Sequence, residues 1–202
     1  MSIKPPEHNL CVYCGSSPGK NPEYLKAAAE LGAAMASAGI GLVYGGGSIG
    51  LMGEVARSVL EAGGHVTGII PEFLVAKERM LDGVNELIVT RSMHERKHLM
   101  FERATGFVAM PGGIGTLEEL AEITTWAQLN QHAKPIIIAD IEGYWSHLLQ
   151  LLDHMRAEGF IRAETDVFLD VAKSVDEVLP LYHQRLTTAR PKVPLAAIRN
   201  QL

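Results

Sequence analysis

Short runs of consecutive apolar residues alternate with longer segments whose apolar positions recur at helical spacing. The strand-like runs fall at 10–14, 41–44, 65–70, 86–90, 106–110, 135–139 and 167–171. The helical patterns fall at 23–38, 51–62, 93–104, 117–130, 144–158 and 175–185. A strand that is apolar at every position has no face to give to water. It belongs in a sheet covered on both sides, and strands separated by helices pair in parallel. The expected fold is α/β, a single-domain Rossmann-like doubly wound parallel sheet with helices on both faces. It would span 9–186, between an N-terminal tail at 1–8 and a C-terminal extension at 187–202, where the pattern lapses into Pro191, Lys192, Val193 and Pro194. Ligands of such sheets bind beyond the carboxyl ends of the strands, so function is expected in the loops that leave them.

Composition narrows the function classes. With 47% hydrophobic and 20% charged residues among 202, the chain can bury one sizeable core and is unlike a disordered polypeptide. Its 18 Lys+Arg against 23 Asp+Glu, a net charge of −5, provide no broad basic footprint for nucleic acid or an anionic membrane. No run approaches the roughly 20 apolar residues of a membrane span. Pro5, Pro6, Glu7 and His8 stand where a signal peptide would need an apolar run, so the chain reads as cytoplasmic. Cys11 and Cys14 spell CxxC, but three extended residues put their Cα atoms roughly 10 Å apart, beyond the about 7 Å that a disulfide spans. Zinc would need a second pair of ligands, which is missing, and two buried thiols are expected.

Three strand-exit loops are rich in glycine: Cys14-Gly15-Ser16-Ser17-Pro18-Gly19, then Gly45-Gly46-Gly47-Ser48-Ile49-Gly50-Leu51-Met52-Gly53, then Pro111-Gly112-Gly113-Ile114-Gly115-Thr116. Each precedes a helix, so free backbone N–H groups and the positive end of a helix dipole would meet an approaching anion, and a phosphate is the expected guest. The middle loop satisfies GxGxxG at Gly45, Gly47 and Gly50, with Glu72 the one candidate for the acid of a dinucleotide site, which keeps an NAD(P) oxidoreductase open. A Walker GxxxxGK[ST] is absent. His94-Glu95-Arg96-Lys97-His98 reads as HExxH, but with Met93, Met100 and Ala104 as the apolar stripe, Arg96 and Lys97 point inward and the histidines lie toward its edge. Two neighbouring cations would repel a divalent metal, so no metal is expected. Buried, they require carboxylate or phosphate partners, which points to an anion site. Thr116-Leu117-Glu118-Glu119 fits the S/T-x-x-E capping box, so Glu119 is either a helix cap or a carboxylate facing a ribose.

With Met93-x-x-Arg96-Lys97 and Pro111-Gly112-Gly113-x-Gly115-Thr116-x-x-Glu119 both present, the chain resembles the LOG ("Lonely guy") family of cytokinin riboside 5'-monophosphate phosphoribohydrolases, many of which carry an older label of possible lysine decarboxylase. The likeness runs from about Cys11 to Tyr182 and includes GGGSIGLMG and Thr124-Thr125-Trp126-Ala127-Gln128. It implies that Arg96 and Glu119 form the catalytic pair. Glu78, Lys97, Gly112, Gly113, Ile114, Gly115, Thr116 and Thr125, together with Ser16, Gly46 and Gly47 of the other two loops, would bind substrate. The implied reaction hydrolyses the N-glycosidic bond of N6-prenyladenosine 5'-monophosphate or AMP to free base and ribose 5-phosphate, with no cofactor. The resemblance also implies a homodimer, in keeping with Trp126, Ala127 and Leu129 beyond what a one-sided helix needs. Two other classes share these loops: a non-catalytic nucleotide carrier or regulator, and the NAD(P) oxidoreductase.

Overall fold

A computed structural model describes residues 6–75, 80–162 and 169–188. Seven strands, β1 (Asn9–Tyr13), β2 (Gly41–Tyr44), β3 (Val66–Pro71), β4 (Glu86–Thr90), β5 (Gly106–Ala109), β6 (Ile136–Ala139) and β7 (Asp170–Ala172), alternate with helices. These are α1 (Pro22–Ser37), α2 (Gly50–Glu61), α3 (Glu72–Val75), α4 (Met93–Arg103), α5 (Ile114–Gln128), α6 (Ser146–Ala157) and α7 (Val175–Thr188). The strands form one parallel sheet in the order β4-β3-β2-β1-β5-β6-β7. This is the doubly wound sandwich that the apolar alternation predicts. The chain winds outward from β1 to β4, then returns to β1's other side with β5. That reversal opens a crevice between the carboxyl ends of β1 and β5, the position where such sheets bind ligands.

Alternate residues of β1, β2, β5 and β6 feed two separate cores. Leu10, Val12, Leu42 and Tyr44 pack with Leu31 and Met35 of α1, Val55 and Val59 of α2, and Val178 and Tyr182 of α7. On the other face Cys11, Tyr13, Val43, Ile69 and Phe107 pack with Met100 of α4 and Leu120 and Ile123 of α5. Cys11 and Cys14 fall in opposite cores, both free and buried, and burial raises both thiol pKa values. The CxxC spacing is thus two packing positions on opposite faces of one sheet.

Some boundaries shift. α5 begins at Ile114 rather than at 117, because Gly113 already serves as its N-cap. α7 continues to Thr188, past the expected domain end at 186. β7 is Asp170–Ala172, and positions 167–168 of the expected strand lie outside the described residues, as does the extension from 189 onward. α3 is a single turn too short for its periodicity to be read.

Gly50 shows how tightly the loops at the crevice are fitted. It has φ +65, and a Cβ there would fall 2.5 Å from the Ser16 carbonyl carbon and the Ser17 nitrogen. Gly39 has φ +69 but open space around it. Gly39→Ala is expected to cost about 1–2 kcal/mol, the left-handed penalty alone. Gly50→Ala adds a backbone clash and should cost at least about twice that, as read by denaturant unfolding of the two variants.

Candidate active site

The three glycine loops are not equivalent. Gly15 ties them together: its N–H donates to Pro111 O at 3.0 Å, and its carbonyl accepts from Leu51 N at 3.0 Å and Met52 N at 3.3 Å. The Leu51 and Met52 amides in the first turn of α2 are therefore spent on the protein's own backbone rather than offered to a pyrophosphate. Gly46 and Gly47 are buried. Gly46 O accepts from Leu81 N at 3.4 Å, and Gly47 bridges to Met80. The GxGxxG loop thus builds the sheet top, and its supposed acid, Glu72, sits exposed at the start of α3. α1 is closed as well, since Asn21 accepts from Glu23 N at 3.1 Å and Pro22 has no N–H to offer. Only α5 is open. Its N-cap Gly113 supplies no side chain, and the amides of Ile114, Gly115 and Thr116 meet no acceptor among the described residues. These are the N–H groups that a helix start presents to an anion.

Beside that helix start lies a hollow of about 260 Å³ between Ser16, Ser17 and Gly19 of the β1 exit and Gly112 and Gly113 of the β5 exit. Tyr24, Leu51 and Tyr144 form its walls. It occupies the switch-point crevice, and Ser16 lines it.

On the α4 and α5 side of the sheet, Arg96 is buried at 8% exposure, with Nε donating to Ile69 O at 3.1 Å. Its Nη2 lies 3.9 Å from Glu119 Oε1. A Cβ on Gly45 would fall 2.2 Å from that same Nη2, so Gly45 is glycine because the guanidinium lies on it. The expectation that Gly45 serves a phosphate is replaced by this packing role. Glu119 has a side chain 13% exposed and accepts no hydrogen bond among the described residues. Burial pushes its pKa up to about 7, opposed by Arg96, raised further by Glu118, opposed by Lys97 and raised by Glu122. An acid that titrates near neutrality beside a specific cation is what acid–base or electrostatic catalysis requires.

The capping-box reading of Glu119 does not hold. With the helix starting at Ile114, Thr116 lies within its first turn and Glu119 lies beyond it, too late to cap. Thr116 is buried, its Oγ1 2.2 Å from where a Gly112 Cβ would stand. The working S-x-x-E box is on α4: Ser92 Oγ accepts from Glu95 N at 3.2 Å, and Glu95 Oε2 from Arg91 N at 2.7 Å. That signal, Ser92-Met93-His94-Glu95, is present in the sequence beneath HExxH and accounts for its glutamate. Both histidines are exposed, with His98 3.2 Å from Glu102. Among the described residues no three His, Cys, Asp or Glu side chains are grouped to hold a metal.

Lys97 meets carboxylates, with Nζ 2.7 Å from Glu118 Oε1 and 2.9 Å from Glu122 Oε1. Thr125 stands on the same face of α5 as that pair. It is exposed, donates to Ala121 O at 2.7 Å, and lies about 16 Å along the helix from Ile114. Glu78 lies outside the described residues. Trp126 is half-buried edge-on to Phe101, and Ala127 packs against the core, so of the apolar residues singled out on α5 only Leu129 is exposed. Tyr24 and Tyr144 were missed in the sequence, although Tyr144 follows strand β6 and strand exits are where sites are expected.

An open anion-binding helix start, one and a half turns before a buried carboxylate paired with arginine, is an arrangement suited to the phosphate and sugar of a nucleotide. Residues 52–181 match the family model described as "possible lysine decarboxylase". The chain is 43% identical over 186 residues to the cytokinin riboside 5'-monophosphate phosphoribohydrolase LOG3 of Arabidopsis thaliana, covering 89% of this chain and 86% of that one. It is 51% identical over 152 residues to the probable cytokinin riboside 5'-monophosphate phosphoribohydrolase LOGL9 of rice, covering 75% and 67%. The chain belongs to the LOG family. Among solved structures, the Moco carrier protein of Chlamydomonas reinhardtii superposes with a TM-score of 0.69 at 24% identity, covering 90% of this chain and 98% of that one. DNA processing protein A of Streptococcus pneumoniae gives 0.55 at 11%, covering 86% and 61%. These two share the fold.

The elevated pKa of Glu119 carries a stability consequence. Unfolded, the acid ionises near 4.5; folded, it holds its proton to about 7. Its contribution to stability is fully present below pH 4.5, is lost as pH rises toward 7, and stays lost above. Glu119→Gln removes that loss. Its stability relative to the parent should rise between pH 4.5 and 7.5 by on the order of 2–3 kcal/mol, measurable by urea titration at both pH values.

Proposed function

We propose that this chain is a phosphoribohydrolase: it hydrolyses the N-glycosidic bond of N6-prenyladenosine 5'-monophosphate and of AMP, releasing the base and ribose 5-phosphate. The observation that carries this reading is the position of Glu119, buried beside Arg96 and without a hydrogen bond among the described residues, on the helix that follows the PGGxGT loop and whose first amides are open. The five steps from Ile114 to Glu119 advance about 7.5 Å along α5. That is the scale of the path from a 5'-phosphate to the anomeric carbon of one ribose. A nucleotide anchored by its phosphate on the Gly113, Ile114, Gly115 and Thr116 backbone would bring its sugar to the carboxylate. The family membership supports the same reading.

In the mechanism we infer, the glycosidic bond breaks with its electron pair going to the base, and positive charge develops on the sugar. Ionised Glu119 stabilises that charge and accepts a proton from the attacking water, whose oxygen bonds the anomeric carbon, and this proton passes on to the departing base, leaving Glu119 ionised. Arg96 favours the ionised form of Glu119 and fixes its orientation. The chemistry calls on no cofactor. Lys97, shared between Glu118 and Glu122, adds charge at the edge of the site, and Ser16 and the Gly112 backbone flank the phosphate.

Glu119→Gln is expected to lower kcat by roughly 10²-fold or more without loss of folding, and Arg96→Ala to remove most activity. Activity of the parent should rise with pH through about 7 as Glu119 ionises. Release of adenine from AMP, followed by chromatography, tests the reaction; a protein that binds AMP without releasing base is a carrier. Because the open amides serve the phosphate, kcat/KM for adenosine should fall far below that for AMP. Comparison of AMP with isopentenyladenosine monophosphate measures the prenyl preference. We propose a homodimer as the working unit, with Ile114 at 82% exposure and Leu129 at 61% as apolar surface on α5. Light scattering at assay concentration should give twice the chain mass.

A further inference from the structure

Tyr144 follows β6 on a strand exit that carries none of the glycine motifs. Its hydroxyl donates to the carbonyl of Gly112. Its ring stands edge-on to Tyr24 of α1, with centroids 5.5 Å apart, and to Trp145, 5.0 Å apart. Tyr24 lies in turn against Gly19 of the β1 exit, where a Cβ would fall 3.0 Å from the ring. Behind Tyr144 the chain is anchored. Trp145 N donates to Oδ1 of the buried Asp140 at 2.6 Å, and Asp140 Oδ2 accepts from Lys173 Nζ at 2.6 Å. Glu142 and Gly143 are both left-handed, at φ 52 and φ 69, and turn the chain back over the crevice. Tyr144 thus joins the exits of β1, β5 and β6.

The bond to Gly112 matters because of what adjoins it. A trans peptide is planar, so holding the Gly112 carbonyl also fixes the direction of the Gly113 N–H on the opposite edge of the same plane. Gly113 begins the open turn of α5. A Cβ at Gly113 or at Gly115 would meet nothing within 4 Å, so these residues have no side-chain packing to hold them. A carbonyl free to swing toward a bound anion would repel it. A hydroxyl engaged on that oxygen removes the freedom before the anion arrives, and preorganisation of this kind is gained as affinity.

We propose that Tyr144 is a positioning residue for the substrate's 5'-phosphate: its hydroxyl pins the Gly112–Gly113 peptide and its ring closes the hollow beside Ser16 and Ser17. The identity of the anion rests on the hydrolase reading above; the pinning does not. The experiment compares the parent with Tyr144→Phe, which keeps the ring and loses only the hydroxyl, using AMP calorimetry, steady-state kinetics with AMP, and inhibition by inorganic phosphate. The expected result is a Kd and KM for AMP raised roughly 5–10-fold, the scale of one neutral hydrogen bond. The phosphate Ki should rise in proportion, with kcat within about 2-fold and the melting temperature nearly unchanged. A folded variant whose Kd and Ki equal the parent's overturns the proposal, as does one in which kcat falls while binding holds. If the parent binds AMP but releases no adenine, the hydrolase reading fails while the Kd ratio still decides the role of Tyr144. A parent that binds neither AMP nor phosphate overturns both.

Discussion

A guanidinium at 8% exposure must be matched at every face it presents, and the upper half of this molecule is arranged around Arg96. Ile69 supplies a carbonyl from β3, Gly45 gives up a side chain at the exit of β2, Met93 offers sulfur 3.7 Å from Nη1, and Glu119 brings a carboxylate from α5. Two strands and two helices are thus fixed relative to one charge. A buried ion pair of this kind contributes little to stability, since taking both ions out of water costs about as much as their attraction returns. Its 3.9 Å separation and the absence of a hydrogen bond to Glu119 leave the acid's oxygens available.

The electrostatics of the site are local rather than global. The chain carries a net charge of −5, yet the start of α5 presents three unclaimed amides, with Arg96 buried nearby. Lys97 is already shared between Glu118 and Glu122. In the proposed reading, attraction for an anion therefore rests first on oriented backbone dipoles and only second on side-chain cations. Such dipoles are fixed by the fold and need no reorganisation on binding. The same fold in the Moco carrier protein shows that this sheet and crevice do not dictate one chemistry.

Much of this was legible along the chain. The alternation of wholly apolar runs with helical periods determines a doubly wound parallel sheet, because such runs can be buried only between two layers of helices. Arg96 and Lys97 stood out because local spacing carries information about which side of a helix faces inward, whereas Glu119 was marked by the PGGxGTxxE pattern. The CxxC pair resolves correctly for a related reason, as strand geometry alone keeps Cys11 and Cys14 apart.

Tertiary contacts decided the rest. Three glycine loops look alike in sequence, but the carbonyl of Gly15 occupies α2's first amides and Asn21 caps α1, leaving only α5 open. No local pattern reveals which loop another loop will satisfy. Thr116 and Glu119 fit a capping box letter by letter, yet the helix starts at Ile114 with Gly113 as its N-cap, and this frees Glu119 from any capping role. Gly45 serves a guanidinium that lies 51 positions away in the chain, and Tyr144 reaches Gly112 across 32. The sequence by itself determined the sheet, its layers and the inward charge. Only the folded chain, by bringing distant hydrogen-bonding groups together, determined which of its similar loops remained open to a ligand.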